Sequence, residues 1–188
     1  MIITFLGKTV KEYRKNYPIL LSVIVPICPI CNGRCHHHAW YDRKVREPNI
    51  VIIPILRVKC VGCGRTHAIL PDFLFPKGRY TEPIREEVIK TREHDKKTQE
   101  ELSEAQSVKT TKRWINRYHQ QIERVIAALQ SILARLGMYI PFIRGNPLDR
   151  LRQICEAIEA AIGRKMKAVG DFGKANILLS WGAPGVWI

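Results

Sequence analysis

Long apolar runs are absent from this sequence. The longest, "ILLSVIVPI" at 19–27, is too short to span a bilayer and lacks the flanks of a signal peptide. We therefore expect no membrane partner and a cytoplasmic location.

Catalytic motifs are missing too. The sequence contains no phosphate-binding glycine loop, no nucleophile elbow and no His-Glu-x-x-His. Nucleases that cut DNA with paired metal ions need three carboxylates gathered on one core. After residue 118 the acidic residues lie on or near predicted helices, without a convincing catalytic setting: Glu123, Asp149, Glu156, Glu159 and Asp171. The sequence therefore predicts a protein that is not an enzyme.

Acidic side chains are scarce in the chain as a whole. Its 188 residues include 17 Asp and Glu against 31 Lys and Arg, a formal net charge of +14 at pH 7. A surplus of this size attracts polyanions: nucleic acid, an anionic membrane surface or an acidic partner. Most of the surplus lies in the first 80 residues, so we expect that part to contact the polyanion.

Cysteines are present in a pattern. Four of the six form two Cys-x-x-Cys pairs, Cys28 with Cys31 and Cys60 with Cys63, separated by 28 residues. In a basic chain without a signal peptide, such pairs indicate metal binding in a reducing compartment rather than disulfides. Two such hooks complete a tetrahedron around Zn²⁺. We predict one structural zinc ion held by these four thiolates.

The remaining candidate ligands have simpler interpretations. We expect Cys35 and the run 36–38 (His36, His37 and His38) in a loop entering the first strand, with the histidines solvated or contacting phosphate. His67 could replace a thiolate, but "RTHAIL" at 65–70 is more typical of a strand. Cys155 lies on a predicted helix and is expected to be a buried, small apolar residue.

The fold class predicted from these patterns is α+β. β-Branched and aromatic residues dominate "AWYDRKVR" (39–46) and "NIVIIPILRVKC" (49–60), which predicts two strands between the hooks. With the strand at 65–70 they form a zinc ribbon, and with an N-terminal arm they make a first domain over residues 1–80.

A helix-turn-helix is predicted over residues 81–120. Helices are expected at 83–94 and 95–106, the second with Thr98 and Glu101 as a capping box. Ser107 can cap a third helix at 108–137, whose start is basic and rich in threonine. The groove-facing residues would be Lys109, Thr110, Lys112, Arg113, Asn116 and Arg117.

Residues 121–188 are predicted to form a helical hairpin with an apolar tail. Apolar residues recur along 108–136 at three- and four-residue steps, which fits either a homodimer through this helix or packing on a helix at 146–166. We favour packing within the chain. The tail at 175–188 could fold onto the hairpin or dock on a partner, and the pattern does not distinguish these.

Several stretches carry a family resemblance: "CPIC", "HAWYDR", "ILRVKCVGCGRTHAILPDFLFPKGRY" and "TKRW". They resemble an uncharacterised bacterial family in which a transposase-type zinc ribbon precedes a helix-turn-helix. That family is similar to the N-terminal DNA-binding parts of insertion-sequence transposases. The resemblance covers about residues 10–118 and implies the four paired cysteines as zinc ligands and a DNA-related role. It implies no established activity.

Together these features predict a sequence-specific binder of duplex DNA, associated with the nucleoid. It would act as a transposon-associated accessory factor or a transcriptional regulator. Arginine and asparagine on the third helix would read base edges. Basic side chains of the ribbon would hold phosphates: Arg34, Arg43, Lys44, Arg46, Arg57, Lys59 and Arg65.

Two other functions stay open. The first is an adaptor whose ribbon and long helix dock on a transposase or another nucleoprotein machine. The second is RNA binding, with bases stacked on aromatic side chains: Trp40, Tyr41, Phe73, Phe75 and Tyr80.

Overall fold

The computed structural model describes residues 1–47, 49–76, 78–98, 101, 106–138 and 143–188. Its strands are β1 (Ile2–Thr4), β2 (Cys35–Glu47), β3 (Asn49–Cys60) and β4 (Thr66–Pro71). Its helices are α1 (Val10–Ser22), α2 (Glu82–Asp95), α3 (Val108–Arg135), α4 (Pro147–Ala161) and α5 (Gly170–Gly182). The predicted α+β class is confirmed.

The described strands form one sheet in the order β1-β4-β3-β2. β2 and β3 are antiparallel over their whole length, from the pair Cys35 and Cys60 to the pair Glu47 and Asn49. β4 is antiparallel to β3 only beside residues 57–59, and β1 is parallel to β4. The three predicted strands are therefore confirmed. The distal half of the β2–β3 hairpin extends past the strands that flank it.

The N-terminal segment contributes a strand and a helix that the sequence patterns did not predict. Thr9 caps α1 by accepting the Glu12 N–H at 3.1 Å. The buried Tyr13 donates from its hydroxyl to the Pro54 carbonyl at 2.7 Å. The apolar run at 19–27 is split, since its first residues end α1 while the rest leaves the helix. No described helix has the length and apolar composition that crossing a bilayer requires.

The predicted packing of α3 on α4 is present. The apolar stripe of α3, which includes Tyr118, Val125 and Leu129, is buried against α4 and α5 of the same chain. α4 ends at Ala161, earlier than expected, because Gly163 adopts a positive φ of 67° and the chain leaves the helix there. The prediction of a separate helix over 95–106 is wrong at its described start, because Asp95 ends α2 and Lys96 has a positive φ of 54°. The reciprocal bonds between Thr98 and Glu101 are present, and residues 99–100 and 102–105 lie outside the described residues.

The segment expected as an apolar tail contains α5, which joins the two halves of the molecule. Two carboxylates from other elements accept N–H groups at its start: Asp72 binds the N–H of Val169, and Glu86 binds those of Asp171 and Phe172. Farther along, Asn176 donates to the buried Glu82 at 3.1 Å. These bonds tie α5 to α2 and to the end of β4, since acidic groups are favoured at a helix N-terminus.

Asp72 gives the fold a pH dependence. Burial raises the pKa of Asp72 to about 7, so between about pH 4 and pH 7 the folded chain holds a proton that the unfolded chain releases. The free energy of unfolding should therefore fall as pH rises through this window. In Asp72→Asn, we expect the free energy of unfolding to fall less over this pH range, by up to about 4 kcal/mol. Denaturant titrations at pH 5 and pH 8 give the free energy of unfolding of both proteins. The same change between the two pH values in the variant and the wild type would show that Asp72 is not the group responsible.

Candidate metal centre and nucleic-acid surface

The two cysteine hooks have the same backbone geometry. In the first, the Cys28 N–H donates to the Gly33 carbonyl at 2.8 Å, and the Asn32 N–H donates to the Cys28 carbonyl at 2.9 Å. The second repeats both bonds with Cys60, Arg65 and Gly64, at 2.9 and 3.1 Å. The residue after each hook has a positive φ, 56° at Asn32 and 68° at Gly64. Asparagine and glycine tolerate this conformation best, which is why the two turns form here.

These turns bring four sulfurs together. The Sγ atoms of Cys28, Cys31, Cys60 and Cys63 all lie within 4.8 Å of one another. Cys28 and Cys63 are 3.7 Å apart, and Cys31 and Cys60 are 3.4 Å apart. A tetrahedral site with metal–sulfur bonds of about 2.3 Å has sulfurs about 3.8 Å apart. The four cysteines therefore fit a metal ion, as their spacing predicted.

The thiol chemistry of the cluster also fits a cation. The backbone N–H of Cys63 donates to the Cys60 sulfur at 3.5 Å, and this bond is the largest of several that lower the pKa of Cys60 to about 6. At Cys31 the backbone bond from Gly33 lowers the pKa, but the Cys60 and Cys63 sulfurs outweigh it and raise the pKa to about 12. Four sulfurs within 4.8 Å of one another thus disfavour a second thiolate, and a bound metal ion supplies the positive charge that several thiolates need.

The other candidate ligands named from the sequence lie outside the four-cysteine cluster. His67 lies on β4 and is buried, with its Nε2 atom 3.2 Å from the Cys28 sulfur. The run 35–38 belongs to β2 itself and not to a loop before it, because Cys35 already pairs with Cys60. The three histidines of that run are exposed on the strand. Cys155 is buried on α4, as expected.

Gly33 is the crowded glycine of the centre. A Cβ atom there would lie 3.1 Å from the Cys60 sulfur and 3.3 Å from the Cys31 sulfur, whereas one at Gly62 would keep ordinary contacts of 3.7 Å or more. We therefore expect Gly33→Ala to weaken metal affinity at least about tenfold, by displacing ligands that need a fixed geometry. Gly62→Ala is the matched control, with little effect. Competition with a chromophoric chelator measures both affinities, and equal values for the two variants would show that the sulfurs tolerate a methyl group at residue 33.

A second feature is a cleft of about 610 Å³ between the hairpin and the start of α3. Its basic side chains come from three separate segments, and no carboxylate is among the described residues that line it. The cations are Lys44, Arg46, Arg79, Arg113 and Arg117. Four of them were predicted as nucleic-acid contacts. Arg79 was missed, because it lies in a connector without periodicity.

An aromatic bridge holds the walls of this cleft together. Arg46 donates to the Tyr80 hydroxyl at 2.9 Å, and the Tyr80 ring packs edge-to-face on Trp114, with centroids 4.9 Å apart. The hairpin and α3 therefore share a continuous contact along one side of the cleft.

α3 presents a second basic surface beside the cleft. A shallow groove along its exposed face is lined by Lys109, Lys112, Arg113, Asn116, Arg117, Gln120 and Gln121. The predicted groove-facing residues border this groove or, for Thr110, the cleft. Gln120 and Gln121 were not predicted.

The other predicted contacts lie elsewhere. Arg43 turns towards the interior, donating to the Phe75 and Gly78 carbonyls, so its guanidinium holds the backbone at these two residues. Arg57 lies over the Tyr41 ring at 5.2 Å. Lys59 and Arg65 are exposed near the cysteine cluster. Of the aromatic residues considered for RNA stacking, Phe73 and Phe75 are buried, while Trp40 is 49% exposed.

Comparison with known proteins yields one match. Residues 28–114 match the family model of a domain of unknown function, DUF6431. The matched segment begins at the first cysteine of the four-sulfur cluster and ends at Trp114, in the aromatic bridge, so it includes the hairpin and the start of α3. No curated protein and no solved structure matches the chain.

Proposed function

We propose that this protein binds duplex DNA in a sequence-specific manner, as a transposon-associated accessory factor or a transcriptional regulator without catalytic activity. The observation that carries the proposal is the basic cleft. Cations from residues 44–46, 79 and 113–117 converge on it, and the described lining offers no carboxylate to neutralise them. Phosphate contacts of this kind supply most of the affinity of DNA-binding proteins.

The exposed start of α3 supports a role in base recognition. Ser107 caps the helix by accepting the Thr110 N–H, and Trp114 and Ile115 pack on Val88 of α2. The opposite face stays open with Arg113 and Asn116. Arginine pairs with guanine and asparagine with adenine in the major groove, which is wide enough for a helix. In this proposal α2 and α3 belong to a helix-turn-helix.

In the same proposal the four cysteines hold one Zn²⁺. Thiolates in a closed set of four are the usual ligands of structural zinc. The ion would supply folding energy where β2 meets β3, and would leave no coordination position for a substrate. The protein would act on the nucleoid of a bacterial cell.

The test is a selection from a randomised duplex pool at near-physiological salt, with zinc-loaded wild-type protein and Arg113→Ala. We expect an enriched motif that fades in the variant. A motif with two-fold symmetry would further indicate a dimer. Absence of enrichment, with binding that collapses as salt rises, would refute sequence-specific recognition.

A second candidate is an adaptor that docks on a transposase or another nucleoprotein machine. The observation in its favour is a run of exposed apolar side chains after the middle of α1: Ile19, Val23 and Val25 are 70–75% exposed. The adaptor predicts a stable stoichiometric protein complex together with weak, sequence-blind affinity for DNA.

A further inference from the structure

The distal half of the β2–β3 hairpin has an unusual outer face. Two cross-strand pairs, Lys44 with Ile52 and Arg46 with Ile50, place a cation directly beside an isoleucine. Directly opposed residues lie on the same face of a sheet. Ile50 is 59% exposed and Ile52 is 51% exposed. We call these four residues, Lys44, Arg46, Ile50 and Ile52, the hairpin tip. It exposes two isoleucines beside two cations, although β-branched residues usually pack against a neighbouring surface.

This outer face borders the cleft. Ile50 lines it together with Lys44 and Arg46, while Thr110, Arg113 and Arg117 line it from α3. The aromatic bridge fixes the distance between the hairpin and α3. The backbone N–H of Arg46 also donates to the Arg79 carbonyl at 2.6 Å, next to Tyr80 of that bridge. The hairpin tip and α3 are thus held as two projections with a basic cleft between them.

Cations also lie on the other side of the tip. A second depression is lined by Lys11, Arg14 and Lys15 of α1 together with Val51 of β3. The Glu47 carboxylate at its edge accepts the Val10 N–H. The tip is therefore flanked by positive charge on both sides, from α3 and from α1.

We infer that the hairpin tip enters the minor groove of the DNA next to the major groove that α3 occupies. This inference rests on the proposed function. In a duplex a single sugar–phosphate strand separates a major groove from the adjacent minor groove. A strand lying in the cleft has α3 on one side and the hairpin tip on the other. The second strand bordering the minor groove then faces the cations of α1.

The two exposed isoleucines are suited to insertion between base pairs. Apolar side chains inserted between base steps in the minor groove unstack them and kink the duplex by about 20–90°. Ile50 and Ile52 have the required chemistry and exposure, and Lys44 and Arg46 beside them favour the negative potential of a narrow minor groove. The DNA held by this protein is therefore bent at the hairpin tip.

The experiment measures the bend on a selected DNA site with dyes at the two ends, by energy transfer, and maps minor-groove contacts by hydroxyl-radical cleavage. The test variant is Ile50→Thr with Ile52→Thr, which keeps β-branched residues on the strand. Leu136→Thr with Ile162→Thr is the control, since these exposed apolar residues lie outside the cleft and outside the groove along α3.

We expect the wild type and the control to bend the DNA by at least about 20°. The isoleucine variant should lose at least half of the bend and its minor-groove protection, while its Kd rises less than tenfold. Binding by the wild type without a bend, or an unchanged bend and footprint in the isoleucine variant, would overturn this inference and leave the proposed function standing. Failure of the wild type to bind any duplex would overturn both.

Discussion

Replacing Cys60 with serine is expected to abolish stoichiometric zinc binding and to lower the free energy of unfolding by at least about 4 kcal/mol, since loss of a structural metal is among the largest single-residue effects. Cys60 is the clustered cysteine to which the Cys63 N–H donates, and it also ends β3 beside Cys35. In the proposed zinc site its loss removes a metal ligand at the point where β2 and β3 begin to pair. Metal content and thermal unfolding, with and without a chelator, measure the two effects.

Cys35→Ser is the matched control for this prediction. Cys35 lies next to the cluster and pairs with Cys60 across the hairpin, yet it is not among the four clustered thiols. The control should retain one zinc ion for each chain and a melting temperature close to that of the wild type. Retention of zinc by the Cys60 variant, or its loss from the Cys35 variant, would show that the ligand set is different.

Arg113→Ala is expected to reduce affinity for the selected DNA site by about 10- to 100-fold, the effect of losing one good bidentate base contact. Affinity for random duplex should fall much less. Arg113 and Arg117 both border the cleft and the groove along α3. Arg117 lies over the Phe75 ring at 5.1 Å, so in the proposed function the exposed Arg113 is the arginine that reaches a base edge. Equilibrium titrations against both duplexes measure the ratio.

Lys44→Ala should behave differently. Lys44 lies on the hairpin wall of the cleft, so its loss should weaken binding to both duplexes alike and reduce the slope of log affinity against log salt by about 0.9. Arg164→Ala is a control, since this exposed arginine lies outside the cleft, between α4 and α5. Equal changes in specificity from Arg113→Ala and Lys44→Ala would refute the division between base reading and phosphate binding.

Features that depend on short-range chemistry could be predicted from the sequence. The two Cys-x-x-Cys pairs predicted the cysteine cluster, because a hook needs only a few residues to direct two sulfurs to one point. β-Branched and aromatic residues predicted β2 and β3, and the run at 65–70 predicted β4. The apolar stripe of α3 predicted a helix covered by neighbours, since periodicity reports which face is buried. The basic start of α3 was also visible, because its residues are close together in the chain.

Contacts between residues far apart in the chain could not be predicted in this way. Lys44 and Arg46 share a cleft with Arg113 because Tyr80 and Trp114 pack between their elements, and no local pattern reports such packing. Arg43 was expected at phosphate but donates to two backbone carbonyls. The C-terminal apolar segment contains α5, whose N-terminus is bound by Asp72 and Glu86 from elsewhere in the chain. Such contacts depend on how elements pack across the whole chain, whereas periodicity and spacing report only neighbours along it.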